Sequence, residues 1–208
     1  MKDNIKNVFE GLLNKYTSEI PIIDSLWDEI ESSYLGKKRY YHSLSHIADL
    51  LEELIIIKNR IEDWDTILFT LFYHDIIYDS LRKDNEEKSA QVALERMKSL
   101  NVPQENIRRC YDQIIATNTH QISDDIDTNY FTDADLSILG QEWERYQTYY
   151  TNVRKEYAIY PDVLYKTGRR KVLKHFLSMD YIFKTGYFRQ QYESQAQKNL
   201  HKELSILS

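Results

Sequence analysis

His42 and His46 stand four residues apart, a spacing that puts both imidazoles on roughly one face of any helix that includes them. Neutral imidazole is a common metal ligand and a proton carrier near neutral pH, although an isolated pair is more often a surface or hydrogen-bonded core feature. His74-Asp75 is more informative, because it interrupts the apolar run Ile67, Leu68, Phe69, Leu71, Phe72, Ile76, Ile77. A carboxylate desolvated there needs a cation, a metal or several donors. Two arrangements meet that need: a structural one, with Asp75 on an arginine and His74 on a backbone carbonyl, or a metal site. The third element, Phe131-Thr132-Asp133-Ala134-Asp135-Leu136, places two carboxylates beside apolar residues. Helix capping at a positive helix end explains Asp133 but leaves Asp135 unaccounted for. Together His46, His74, Asp75 and Asp135 form an ordered set of two imidazoles and two carboxylates.

The elements that hold them are expected to be helices. With 5 Gly and 3 Pro in 208 residues, the chain lacks the turn-formers that a sandwich or barrel needs every 8–12 residues. Neither G-x-G-x-x-G nor G-x-x-x-x-G-K-[ST] occurs, so phosphate would have to be met by side chains, a metal or helix N-termini. Apolar residues recur at helical spacing at Val8, Leu12, Leu13 and Tyr16, and at Ile23, Leu26, Trp27 and Ile30, so that two helices meet near Pro21. A third helix is expected over about 43–60 with Ser43 as N-cap, and a central one over 65–78. Further helices are expected over 85–100 and 103–117, with one or two over 131–160 after a polar loop at 121–129. Thr167-Gly168 is read as opening a helix to Met179, and Gly186 as preceding a last one to about Leu204. The fold class predicted is all-α, a single helical-bundle domain over 1–208. Its motif-bearing core spans about 35–183, with N-terminal helices 1–34 and a C-terminal helix 187–206 packed on it.

The quoted motifs resemble the HD superfamily of metal-dependent phosphohydrolases, named for the adjacent His-Asp pair. Arg39-Tyr40-Tyr41-His42-Ser43-Leu44-Ser45-His46-Ile47, Phe72-Tyr73-His74-Asp75, Asn85-Glu86-Glu87-Lys88-Ser89-Ala90 and Phe131 to Gly140 are similar to a bacterial subfamily whose phosphohydrolase activity is itself a prediction. Glu156-Tyr157, Gly168-Arg169 and Asn199-Leu200 extend the likeness from about residue 35 to the C-terminus. The resemblance implies a helical bundle of the HD-domain and phosphodiesterase type. It also implies one metal held by His46, His74, Asp75 and Asp135, with Asp133 as the competing last ligand or a supporting acid. Tyr41-His42-x-x-x-His46 further resembles the helical cyclic-nucleotide phosphodiesterases, where the earlier histidine donates a proton. That makes His42 a candidate general acid.

A two-imidazole, two-carboxylate set suits Mn, Fe, Co, Ni or Zn better than Mg. Asp75 could also orient or deprotonate the attacking water. His120 is a candidate for a second metal, although a loop histidine is more often solvated, and Glu86 is either a support for the ligands or a first-turn acid of its own helix. Arg39, Arg82, Lys83 and Arg169 are phosphate-binding candidates, arginine giving the better bidentate fit; most of the Lys166, Arg170, Lys171, Lys174 cluster reads as a solvated face. Tyr146, Tyr149, Tyr150, Tyr157 and Tyr160 read as helix packing before nucleobase stacking. The expected function is hydrolysis of a phosphate ester of a small, nucleotide-like substrate. The alternative is a non-catalytic module that retains a metal or senses a nucleotide. The net charge of -6 disfavours a dedicated nucleic-acid partner. The single Cys110 excludes an internal disulfide, and no apolar run reaches membrane-spanning length, so a cytoplasmic location without membrane partner is expected, with oligomeric state open.

Overall fold

A computed structural model describes residues 2–207, and among them every regular element is helical. The chain divides into two compact units, Met1–Thr132 and Asp133–Ser208.

In the first unit, α1 (Lys2–Leu13) and α2 (Ile20–Tyr34) precede α3 (Leu44–Ile56), a 3-10 turn at Lys58–Arg60 and α4 (Trp64–Tyr73). After them come α5 (Asn85–Ser99), α6 (Gln104–Ala116) and α7 (Ile126–Asp135), whose last residues pass into the second unit. The apolar run read from the sequence becomes α4, and Thr66 to Tyr73 are all buried. It packs against α1, α3, α5 and α6, as an element apolar all round must. Phe9 of α1 meets Phe72 of α4 edge-on at 4.8 Å and Trp27 of α2 at 5.8 Å. Cys110 of α6 lies fully buried against the Thr70 hydroxyl, and burial pushes its thiol up to about 12.

Several boundaries differ from the sequence reading. The central helix stops at Tyr73, with His74 as its C-cap, so Ile76 is buried without being helical. Periodicity reports burial, and an irregular segment can be buried too if its backbone groups find partners. Ser43 does occupy the N-cap position of α3, but its hydroxyl donates back to the Tyr41 carbonyl instead of capping. The loop expected at 121–129 already turns helical at Ile126.

In the second unit a 3-10 segment, Leu136–Gly140, leads to α8 (Trp143–Glu156), α9 (Asp162–Leu177) and α10 (Gly186–Ile206). Gly168 does not open a helix: α9 begins six residues earlier at Asp162, after Pro161, and Gly168 sits inside it. Gly140 is required for packing, since a Cβ there would lie 2.4 Å from the Tyr192 Cβ on α10. Beside it, the Asn199 amide donates to the Leu139 and Gln141 carbonyls at 2.8 and 2.7 Å and closes the 3-10 segment onto α10.

Candidate metal centre

The site of the first unit is built where two helices meet irregular chain. His46 lies in the first turn of α3 and His42 in the turn before it; His74 and Asp75 follow the last residue of α4. A helix that ends leaves its last carbonyls without intrahelical donors. Here the Leu71 carbonyl accepts from His74 Nδ1 at 2.9 Å, and the Phe72 carbonyl accepts from the Tyr34 hydroxyl at 3.2 Å. The irregular stretch beyond is held on every side. The Arg39 guanidinium donates to the Asp75 and Ile76 carbonyls at 2.6 and 2.8 Å, and Ser89 Oγ accepts from Ile77 N at 3.1 Å. The Asn85 side chain pairs with both backbone groups of Asp79.

The Leu71 contact fixes the chemistry of His74. A carbonyl can only accept, so Nδ1 carries the proton and the neutral ring presents a bare Nε2. That nitrogen lies 3.3 Å from His46 Nε2 and 3.3 Å from Asp75 Oδ2, and His46 Nε2 is 4.0 Å from the same oxygen. Burial alone would push the Asp75 carboxyl up, but the imidazoles of His74, then His42, then His46 outweigh it and hold it well below the usual carboxylate range. Two imidazole nitrogens and a carboxylate oxygen thus converge on one point, the donor types that a transition metal takes. His46, His74 and Asp75 are the group among the described residues that could hold a metal ion. Three atoms with these separations lie on a circle of radius about 2.1 Å, close to the metal–nitrogen and metal–oxygen lengths of a transition-metal site. The donor set and its spacing therefore fit a divalent metal.

His42 stands just outside this triangle. Its Nε2 is 4.0 Å from Asp75 Oδ2, its ring stacks on Tyr78 at 4.1 Å, and it is partly accessible where His46 and His74 are buried. Phe131 of α7 closes on the His74 ring at 5.5 Å.

No protein-family model, curated protein or solved structure matches this chain.

The other candidates divide. Asp135 closes α7, half-buried, and belongs to the second unit. Asp133 is fully buried and holds a segment distant in sequence: it accepts from Lys184 N, Thr185 N and the Thr185 hydroxyl at 2.7–3.0 Å, where α10 begins, and from Lys184 Nζ at 3.3 Å. Asp133 therefore does not cap the start of its own helix, near whose end it lies, but ties down the two residues that lead into α10. His120 lies in the loop after α6 with a left-handed backbone, φ 52°, and does not join the His46–His74–Asp75 group. Glu86 is a first-turn acid of α5 and accepts from Asn118 at 3.0 Å.

Three expected phosphate ligands are otherwise engaged. Arg39 serves backbone carbonyls, and Arg169 is buried in a bidentate pair with Glu203 at 2.7 and 2.9 Å, with Glu203 also hydrogen-bonded to the Tyr146 hydroxyl. Arginine's fork suits carbonyls and carboxylates as well as phosphate, so residue type alone did not separate these roles. Arg82 pairs with Asp84, while Lys83 is exposed in the same linker. Sequence reasoning passed over Tyr34 and Tyr78 as parts of the site's frame, and quoted Asn85 and Ser89 only within a motif, without a role for either side chain.

Proposed function

We propose that this chain is a metal-dependent phosphohydrolase of the HD superfamily, cleaving a phosphate ester of a small, nucleotide-like substrate. The observation that carries the reading is the His74 Nε2 lone pair, fixed by the Leu71 carbonyl and aimed at His46 Nε2 and Asp75 Oδ2. His46 and His74 are buried and Asp75 half-buried where these atoms converge. His46, His74 and Asp75 would hold the metal. A divalent transition metal in such a set supplies Lewis-acid polarisation of a phosphoryl oxygen and an acidified water.

The chain's own residues divide the remaining work. The Asp75 carboxylate, kept charged by its imidazole neighbours, orients the attacking water and accepts its proton. His42, more accessible than the ligands and 4.0 Å from Asp75 Oδ2, protonates the departing oxygen. Lys83, exposed beside the turn in sequence, is the remaining phosphate-neutralising candidate. No helix among the described residues is long and apolar enough to cross a membrane.

Metal analysis followed by a phosphate-ester panel with added Mn or Ni tests the reading. His74→Ala and Asp75→Ala are expected to lose the metal. His42→Ala is expected to keep it while turnover falls by about 10²–10⁴-fold, the usual worth of general acid assistance. Metal bound by the wild type with no turnover on any ester would favour a sensing module, and normal metal binding by His74→Ala would overturn the site.

A further inference from the structure

Arg39 lies between the two chain segments that carry the proposed chemistry and bonds to both. One guanidinium nitrogen donates to the His42 carbonyl at 3.3 Å and to the Asp75 carbonyl at 2.6 Å, and the other to the Ile76 carbonyl at 2.8 Å. The same guanidinium sits over the Tyr34 ring at 5.0 Å and near the Tyr78 ring at 5.5 Å. Tyr78 in turn stacks on the His42 imidazole at 4.1 Å, and Tyr34 holds the Phe72 carbonyl. His42 is thus located twice by one side chain, through its own carbonyl and through Tyr78. Neither segment is helical where Arg39 touches it, so no ladder of backbone bonds would keep them in register otherwise.

We propose that Arg39 is a positioning residue, setting the His42 imidazole against the His74-Asp75 turn without touching substrate. The inference rests on the hydrolase reading for its effect on turnover, and on geometry alone for its effect on His42. A planar fork with fixed donor directions suits this task, because it binds three carbonyls of two segments at set angles; a lysine ammonium on a flexible stem does not.

Two measurements on wild type, Arg39→Ala and Arg39→Lys test it. The first is steady-state hydrolysis of bis-p-nitrophenyl phosphate at saturating Mn, well below the unfolding temperature of each variant. The second is the NMR signal of the His42 ring in metal-free protein. Arg39→Ala is expected to lower kcat by about 10–100-fold, the usual effect of removing an outer partner of such a site, with KM within about threefold of wild type. Added guanidinium ion restores part of the loss, Arg39→Lys remains impaired, and the His42 signals move as the Tyr78 ring shifts. Wild-type kcat with unmoved His42 signals in Arg39→Ala overturns the proposal, as does a loss confined to KM. If Arg39→Ala does not fold, Arg39→Lys decides on the same two readouts. A wild type without turnover on any ester of the panel, whose His42 signals still move on substitution, sinks the hydrolase reading and leaves the positioning role standing.

Discussion

Each unit buries a charged cluster, and the two are completed differently. In the second, Glu203 receives the Arg169 fork and the Tyr146 hydroxyl, while Asp133 collects two backbone N–H groups, a hydroxyl and an ammonium. Both of these carboxylates meet donors. In the first, the Asp75 carboxylate meets imidazole nitrogens, one of which already has its proton committed elsewhere. Burial of a charge with its full complement of donors explains itself as architecture. A carboxylate set among imidazole nitrogens is a different case, because it is also the donor set that could hold a metal ion.

The contrast can be broken most forcefully at Arg169. Arg169→Met leaves Glu203 buried without its cation and is expected to cost about 3–5 kcal/mol in urea unfolding, whereas adding Glu203→Leu recovers much of that loss. A double variant no more stable than the single one would mean that the pair is not closed architecture. Next in size is the metal-linked increment. Mn at a hundred times its Kd is expected to stabilise the wild type by about 2.7 kcal/mol, and a thermal shift that persists undiminished in His74→Ala would place the ion elsewhere. Asp133→Ala, which removes charge-assisted bonds, is expected to cost about 1.5–3 kcal/mol while leaving Mn affinity unchanged; a loss of affinity would move Asp133 into the metal site.

The smallest effect is one of pH. The Asp125 carboxyl is pushed up by burial but pulled down to about 2 overall by hydrogen bonds from Arg109 and Thr128 and the Arg109 charge. A depressed folded pKa gives stability that is present above the unfolded value of 3.8 and lost as pH falls towards about 2. The stability gap between wild type and Asp125→Asn should therefore narrow between those two values, and a gap constant across that window would show the ion pair to be unimportant.

Much of this was legible before the fold was seen. Scarce glycine and proline with apolar residues at helical spacing gave the helices, and His74 and Asp75 stood out because ionisable groups in an apolar run have few explanations; His46 joined them only as part of the ordered set and the resemblance. What escaped was of three kinds. The end of α4 was hidden because Ile76 continues the apolar pattern that Tyr73 closes in the backbone. The partner of Asp133 lies 51 residues away, at Lys184, beyond any local signal. Gly168 was misread because a glycine within a helix with open space beside it looks, in sequence, like one that ends it.

The contact between His74 Nδ1 and the Leu71 carbonyl also restricts how the chain can vary. The imidazole is aimed by the end of a helix, and each residue added to or removed from α4 would turn that end by about 100° and move it by about 1.5 Å. Substitutions along α4 that preserve its apolar volume should be absorbed by repacking, but a single-residue insertion or deletion should not be. Among relatives of this chain, the distance from the start of that helix to the His-Asp pair is expected to be invariant even where the residues between them are not.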